Sequence, residues 1–568
     1  MSAEPEAGQP EAGSPAPPPA RTQGARAGLW VALGILLLGA LPSLFARDLW
    51  SSDEIRYVEV AREIVSYDSL LVPHLNGEVY AEKPPFYFWL SGALGLLSGS
   101  FPVGGRLCSL LATGATCGFL ALIARRLCPD PRAAPLAAVI YLTLPSVFER
   151  SQEALLDPLV AALALGATWA LVESARPARW GPWALWVALA SGFLALASMV
   201  KGPVAFLSPL IAVPCLVVGG ELPGRRRAVG GAWLACGVGV GVTLLWLYLA
   251  ARQAGWWYFE HMAFRQAEGR VGAETLAHNK PFHYYLGQLP VRTLPWCVLA
   301  PGLAYAARGV GRSVAKRSLL WLGIGVLLLS SIGSKRFGYA LPFMPAVGLA
   351  LGAALASAEI QGPWPRRLLQ LPLRYVRLSA PWLLGALALG VWLYALALAA
   401  AVEAPLRAEL GGVPWLLWTG VVAGAAALGA RVIGARCEPR IAGALDLALV
   451  TGVALSAAMG VVASTRDLQE TIRPLMQQVA QRLPADAPLY LYPGHLDGRA
   501  NLYLGRQHVP TRHLPEEVPA LADAHAWVFA RGVAWDQVPA EDRARFEVVV
   551  EAEVGRRERP WLLLRPRR

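Results

Sequence analysis

The sequence predicts a polytopic α-helical membrane protein of about 13 transmembrane helices with a small α/β domain at its C-terminal end, and three observations carry that prediction. Of 568 residues, 55% are hydrophobic and only 16% charged, too much apolar surface for one soluble core. Apolar runs of roughly 17 to 23 residues recur along most of the chain, long enough to cross a hydrocarbon core of about 30 Å at about 1.5 Å per residue. Basic residues gather in the short loops between those runs, as the cytoplasmic side of a membrane protein requires. A membrane β-strand needs only about 10 alternating residues, so the spans are expected as helices.

Residues 1–28, rich in Pro, Ala and Glu and closed by Arg21 and Arg26, are expected as a disordered cytoplasmic tail. A first span follows near 29–45, and with no small-x-small cleavage site behind it, it is expected to stay as an anchor. Residues 46–106 then form a first extracytoplasmic loop. Within it, Phe86 to Ser98 is too short to cross comfortably and is expected as a juxtamembrane helix in the outer interface. If it crossed, Arg125 and Arg126 would lie outside and every later basic loop would be inverted. Further spans are expected near 107–124, 133–149, 154–172, 183–200, 203–219, 230–250, 294–307, 318–333, 338–357, 379–400, 413–430 and 441–463, with a second outer loop at 251–293. The membrane domain is thus 29–463. Residues 464–568 lose the long apolar runs and are expected as an extracytoplasmic α/β domain, with a helix over Asp467 to Arg482 and strands at Leu489–Tyr492, Ala526–Phe529, Phe546–Val550 and Trp561–Leu564.

A net charge of +12 would admit a nucleic-acid partner, but its distribution argues against one. Basic residues gather in short loops between the apolar runs: Arg125, Arg126 and Arg132; Arg176 and Arg179; Arg225, Arg226 and Arg227; Arg308, Arg312, Lys316 and Arg317; Arg366, Arg367, Arg374 and Arg377; Arg431, Arg436 and Arg440. Topology alone accounts for them. All seven cysteines map to spans or inner loops, and no CxxC pair exists, so neither a disulfide framework nor a cysteine metal site is expected. All eight histidines map to the outer side. Any chemistry is expected there.

The polar residues that topology does not need also meet at the outer level. They are Asp53, Glu54, Arg56 and Tyr57; Glu82 and Lys83; Arg150, Glu153 and Asp157; Lys201; the loop from Glu260-His261 to Arg292; and Lys335, Arg336 and Tyr339. Ionisable groups at that depth are costly unless paired or wetted, which makes a functional site the default expectation. For Lys201 or Lys335 alone, snorkelling to lipid headgroups is the alternative.

Taken in order, Leu49-Trp50 with Asp53-Glu54-x-Arg56-Tyr57, Glu82-Lys83-Pro84-Pro85, Lys201-Gly202-Pro203, Pro281-Phe282-x-Tyr284-Tyr285, Leu294-Pro295-Trp296 and Lys335-Arg336-x-x-Tyr339-x-Leu341-Pro342 resemble the landmarks of the aminoarabinose transferase family. These are C-type glycosyltransferases that use polyprenyl-phosphate sugars and are related to protein O-mannosyltransferases. The resemblance runs from about residue 30 to 345. It implies a C-type glycosyltransferase fold in a bacterial inner membrane, with the site on the periplasmic side. It also implies transfer of a sugar from an undecaprenyl-phosphate type donor to lipid A or another envelope glycolipid, a protein hydroxyl being the alternative acceptor.

On that resemblance Asp53 is the leading catalytic residue, with Asp157 a second acid at the sugar unless it only stabilises a helix start. Lys83, Arg265, Lys335, Arg336 and Tyr339 are expected to bind the donor phosphate and to stabilise the charge it gains as the glycosidic bond breaks. Glu54, Arg56, Tyr57, Lys201 and Tyr284 support them, Glu54 as the partner of a local arginine. Arg265 follows Phe264, whereas the family pattern has the arginine before the phenylalanine. Phosphate is a good leaving group, so no dedicated general acid and no cofactor are required, and one displacement predicts inversion. The resemblance extends to a structural divalent metal such as zinc at Glu82 and His261; two ligands fall short of the usual four, and an interfacial hydrogen bond is the alternative. Trp256-Trp257-Tyr258-Phe259 would wall a lipid groove or form an interface belt. From other classes, a transporter or flippase would carry its ionisable residues at the midplane, and a non-catalytic assembly subunit would not need the acid, lysine and tyrosine landmarks together.

Overall fold

The computed structural model describes residues 20–45, 47–66, 70–176, 179–218, 223–265, 280–359, 361–401, 412–435, 437–470, 472–493, 498–506, 509–553 and 560–567. Among them, nine helical segments are long and apolar enough to cross a membrane, or ten when the bent pair Phe337–Phe343 and Pro345–Ala356 counts as one. The expected spans near 133–149 and 294–307 appear as shorter apolar helices, α5 (Ala133–Leu142) and Trp296–Ala306. Pro145 explains the first, because it cannot donate to the preceding turn and opens a separate helix, α6 (Pro145–Arg150). The Phe86–Ser98 run is a helix of 13 residues, α3, closed by Gly99 at φ 69°.

One long segment holds two passes. Trp180–Val218 is continuous and apolar, but it divides into α8 (Trp180–Lys201) and α9 (Leu207–Val218). Helix α8 runs alongside α10 (Arg225–Ala254) in the same direction: Trp183 bonds to the Arg227 carbonyl at one end, and Ser198 meets Thr243 at 2.7 Å near the other. Helix α9 runs back, from Ser208 on the Pro342 carbonyl to Leu216, whose carbonyl accepts from Arg317. The reversal falls at Gly202, whose φ of 72° favours glycine.

Three boundaries differ from expectation. Helix α1 begins at Ala20, within the stretch expected as tail, and gives way at Leu41–Leu44 to a tighter turn containing Pro42; residues 1–19 lie outside the described residues. The helix expected to end near 463 runs from Pro439 to Glu470, and a separate helix covers Arg473–Arg482. The segment carrying Asp53, expected as a polar loop, is a helix, α2 (Ser52–Ser66). Its start is capped: Ser51 Oγ accepts from the Glu54 amide at 3.0 Å, and Asp53 and Glu54 occupy the first turn, where the helix dipole favours acids. A hairpin follows, β1 (His74–Leu75) and β2 (Glu78–Val79), turned by Asn76 and Gly77 at φ 53° and 75°.

After Arg482 the chain forms one mixed sheet from β3 (Leu489–Tyr492), β4 (Trp527–Arg531), β5 (Phe546–Ala552) and β6 (Trp561–Pro566), ordered β3-β4-β6-β5. Only β3 and β4 are parallel. Strand alternation gives each face its own core: Leu491, Phe529 and Leu563 pack against Leu475, Met476 and Val479 of the helix Arg473–Arg482, while Val528, Ala530 and Leu564 pack with Val518 and Leu521.

Candidate functional site

Helix α2 presents two neighbouring acids to different surroundings. Asp53 faces outward, about a quarter exposed, and both of its oxygens are engaged: Oδ1 accepts from Arg56 at 2.7 Å and Oδ2 from Arg336 at 2.5 Å. Arg56 also reaches Glu82 at 3.2 Å, so one guanidinium ties the Asp53 carboxylate to the segment carrying Lys83. Burial opposes the charge on Arg56, but Tyr80, Glu82 and Asp53 outweigh it and hold its pKa above the ordinary value. Lys83 Nζ donates to the Glu82 carbonyl at 2.9 Å. The Pro84-Pro85 pair after it sets the backbone that leads into α3.

The second acid of the site sits at the start of α7 (Leu156–Ser174). Asp157 pairs with Lys201, the last residue of α8, and the Lys201 ammonium stands 4.8 Å from the Tyr339 ring centroid. Gly338 lets the backbone approach: a Cβ there would stand 3.0 Å from Asp157 Oδ2. Between the two clusters lies Tyr57, buried, whose hydroxyl is pushed well above its ordinary pKa by burial first and then by the negative charges of Asp53 and Asp157. It stays a neutral phenol with both carboxylates in its field. The acids are thus paired with the cations Arg56, Lys201 and Arg336, and Arg150–Glu153 and Arg292–Glu149 extend the charged belt at 2.8 and 2.7 Å.

The remaining expected residues fall as follows. Lys335 is buried and donates to the Lys280 carbonyl at 2.9 Å. Tyr285, not Tyr284, bonds to the Arg336 carbonyl, at 3.1 Å; Tyr284 packs against it with ring centroids 5.1 Å apart. Arg265 ends the π-helical turn His261–Arg265, and its side chain lies outside the described residues, as do residues 266–279 of the same loop. Glu82 accepts from Arg56 and, at 3.4 Å, from Tyr80, while the His261 ring lies 6.4 Å from that of Trp257. Among the described residues no three His, Cys, Asp or Glu gather as a metal site, so zinc at Glu82 and His261 finds no support there.

Sequence reasoning paired Glu54 with an arginine but missed which one, and there are two. Glu54 is 1% exposed and accepts from Arg47 at 2.6 and 2.9 Å, from Arg106 at 3.5 Å and from the Ala154 amide at 3.0 Å. Burial pushes its carboxyl up, yet Arg47 and Arg106 outweigh that and bring the pKa down to about 2. An arginine far from the basic end of an apolar helix, as Arg106 is in α4 (Phe101–Leu127), was the available signal, because such a charge needs a partner. Also missed was the buried acid pair Glu59 and Glu63 one and two turns further along α2. Asn501 donates to Glu59 at 2.7 Å and to Asn76 at 2.9 Å, Thr511 to Glu78 at 2.6 Å, and Tyr503 to Asp48, so the C-terminal residues dock directly on α2 and its hairpin.

Residues 28–259 match the dolichyl-phosphate-mannose-protein mannosyltransferase family. The chain is 33% identical over 343 residues to undecaprenyl phosphate-alpha-4-amino-4-deoxy-L-arabinose arabinosyl transferase 1 of Sodalis glossinidius, covering 58% of this chain and 59% of that protein. It is 32% identical over 331 residues to the corresponding transferase of Pectobacterium carotovorum, covering 56% and 57%. The aligned part thus spans less than two thirds of these relatives. The crystal structure of ArnT from Cupriavidus metallidurans bound to undecaprenyl phosphate superposes with a TM-score of 0.68 at 20% identity, over 94% of this chain and 97% of that one. The fold is that of the ArnT crystal structure, and the chain is a polytopic α-helical membrane protein.

Proposed function

We propose that this protein is a membrane glycosyltransferase that moves a sugar from an undecaprenyl-phosphate type donor to an acceptor on the outer side of a bacterial inner membrane, most simply lipid A or a related glycolipid. The observation that carries the reading is the junction at Asp53: a carboxylate held by Arg56 and Arg336, with Arg56 continuing to the residue before Lys83. It is supported by the family match, by relatives named for an undecaprenyl-phosphate-linked aminoarabinose donor, and by the fold shared with ArnT. Residues 29–463 form the transferase domain in this reading, and 464–568 an outer domain.

A polyprenyl-phosphate sugar keeps its tail in the bilayer and its phosphate at the interface. Lys83, Arg336, Tyr339 and Arg265 take the phosphate in this reading, with Lys335 fixing the loop through Lys280. The acceptor oxygen attacks the anomeric carbon opposite the phosphate, the carbon–oxygen bond to phosphate breaks, and the electron pair leaves on the polyprenyl phosphate, where fixed cations stabilise it. The anomeric centre inverts. If the acceptor is a hydroxyl, its proton passes to Asp53; if it is a phosphate, it is already ionised, and Asp53 holds the sugar or its amine. Both Asp53 oxygens already accept from guanidinium groups, each with lone-pair capacity left for an incoming donor, and Arg336 is the more exposed of the two partners. Asp157, held by Lys201, orients the sugar from the other side of Tyr57.

The test is reconstitution of the full chain with labelled undecaprenyl-phosphate sugars and an outer-membrane lipid extract. Native protein should transfer label to lipid, and Asp53→Asn and Lys83→Ala should each lose transfer. Label appearing on protein instead would favour the protein-acceptor alternative; transbilayer flux without transfer would sink the enzyme reading.

A further inference from the structure

At the end of the molecule opposite Asp53, arginines do more than ring the inner loops. Helix α4 starts beside Glu54 and ends at Leu127, and beyond that end Arg132 pairs with Glu438 at 2.9 Å. Next to Glu438 lies a cavity of about 680 Å³ lined by Gln370, Leu373, Arg374, Arg377, Leu378, Glu438, Pro439 and Arg440. One wall is the first turns of the helix Leu371–Ala401; the other is the N-terminus of the helix Pro439–Glu470, whose dipole adds positive potential.

Charge setting topology needs no cavity, and here the arginines converge on one. Three of the lining residues are cationic and one is acidic, and that acid, Glu438, is shared between Arg132 and, at 3.4 Å, Arg440. Asp446, 1% exposed, lies six residues beyond Arg440 on the same helix. The Nε of Arg440 is buried and has no hydrogen-bond partner among the described residues, a donor that a bound acceptor would satisfy. Guanidinium groups suit phosphate oxygens because they present paired donors. The surroundings select the source of the phosphate. Arg374, Leu378 and Trp382 are spaced four residues apart on one helical stripe, and Leu378 and Trp382 are 64% and 75% exposed, an apolar track leading from the basic end along the membrane-facing helix.

We propose that this cavity binds the phosphate headgroup of an anionic membrane phospholipid, with its acyl chains along Leu378 and Trp382. The site lies at the other membrane surface from the sugar-transfer site, and its occupancy is read without any transfer assay, so the two readings fail independently.

The experiment uses the delipidated full chain in detergent, titrated with phosphatidylglycerol, phosphatidylcholine or inorganic phosphate and read by native mass spectrometry. Phosphatidylglycerol is expected to bind at least roughly tenfold more tightly than phosphatidylcholine. The variant Arg374→Gln/Arg377→Gln should weaken it by at least roughly tenfold, while Arg225→Gln/Arg226→Gln, which removes the same charge from another inner loop, changes it by less than about twofold. Arg374→Gln alone, at an exposed position, is the milder variant should the double one fail to fold, and it too must weaken binding. Equal binding of both lipids, equal loss in both double variants, or inorganic phosphate binding as tightly as the lipid would overturn the proposal.

Discussion

Asp53 and Glu54 are adjacent carboxylates whose removal should have opposite consequences. Glu54→Gln keeps the size of the side chain but leaves the guanidinium groups of Arg47 and Arg106, each 2% exposed, without their shared negative charge. Breaking a buried ion pair from one side costs about 3–5 kcal/mol, and the remaining carbonyl bonds of Arg106 to Leu44 and Asp48 cannot neutralise it. Asp53→Asn removes two ion pairs whose partners are 24% and 46% exposed, so solvent screens the loss to under about 1 kcal/mol. Sugar transfer should nevertheless fall in Asp53→Asn by about 10²–10⁴-fold. Equilibrium unfolding in mild detergent, followed by tryptophan fluorescence, measures the first quantity, and the lipid-transfer assay measures the second. Adding Arg47→Met to Glu54→Gln should then destabilise far less than the sum of the two single changes, because they touch one network. Equal unfolding midpoints for native and Glu54→Gln protein, or equal destabilisation in the two single variants, would refute this division of labour.

Three further outcomes follow from other contacts. Gly338→Ala places a methyl group 3.0 Å from Asp157 Oδ2 and should lower kcat about tenfold by moving the Asp157–Lys201 pair, with little change in melting temperature. Glu63 has its pKa raised to about 8, by burial first and then by Glu59, against the Gly77 amide and Arg62. Its folded value lies above the unfolded one, so its contribution to stability is full below about pH 4.5 and is lost as pH rises through about 8, at no more than about 1.4 kcal/mol per pH unit; Glu63→Gln should flatten that part of the stability profile, and an unchanged slope would remove Glu63 as its source. Asn501→Leu strips a donor from buried Glu59 and from Asn76 and should cost about 1–3 kcal/mol, read as faster hydrogen exchange in α2 and the β1–β2 hairpin; unchanged exchange there would mean that the docking carries no energy.

What the sequence made legible was whatever is local. The length of Phe86–Ser98 marked it as too short to span, and the alternating runs after residue 480 located four strands to within two residues at most starts and ends. Of the residues singled out, Asp53, Arg56, Glu82 and Arg336 form one set of ion pairs and Asp157 and Lys201 another. The helix that carries Asp53 was hidden because its buried face holds Glu54, Glu59 and Glu63, so apolar periodicity fails where acids fill core positions. Their partners lie 52 residues away at Arg106 and 442 residues away at Asn501, distances over which no pattern in one chain reports contact. The span cut by Pro145 was equally invisible as a break, because hydropathy records composition and not direction, whereas the reversal at Gly202 fell between the two spans expected at 183–200 and 203–219.

Helix α2 is moored at one end to the membrane core through Glu54 and further along to the C-terminal residues through Glu59, with Gly498 pressed so close that a Cβ there would stand 2.4 Å from Glu59 Cγ. The C-terminal residues are therefore a strut for the helix that carries Asp53 and not an appendage. Cutting the polypeptide beyond Glu470 would leave the described membrane-spanning helices covalently intact and still release the outer mooring of the helix that carries Asp53, so a truncation would be felt at Asp53 without touching it.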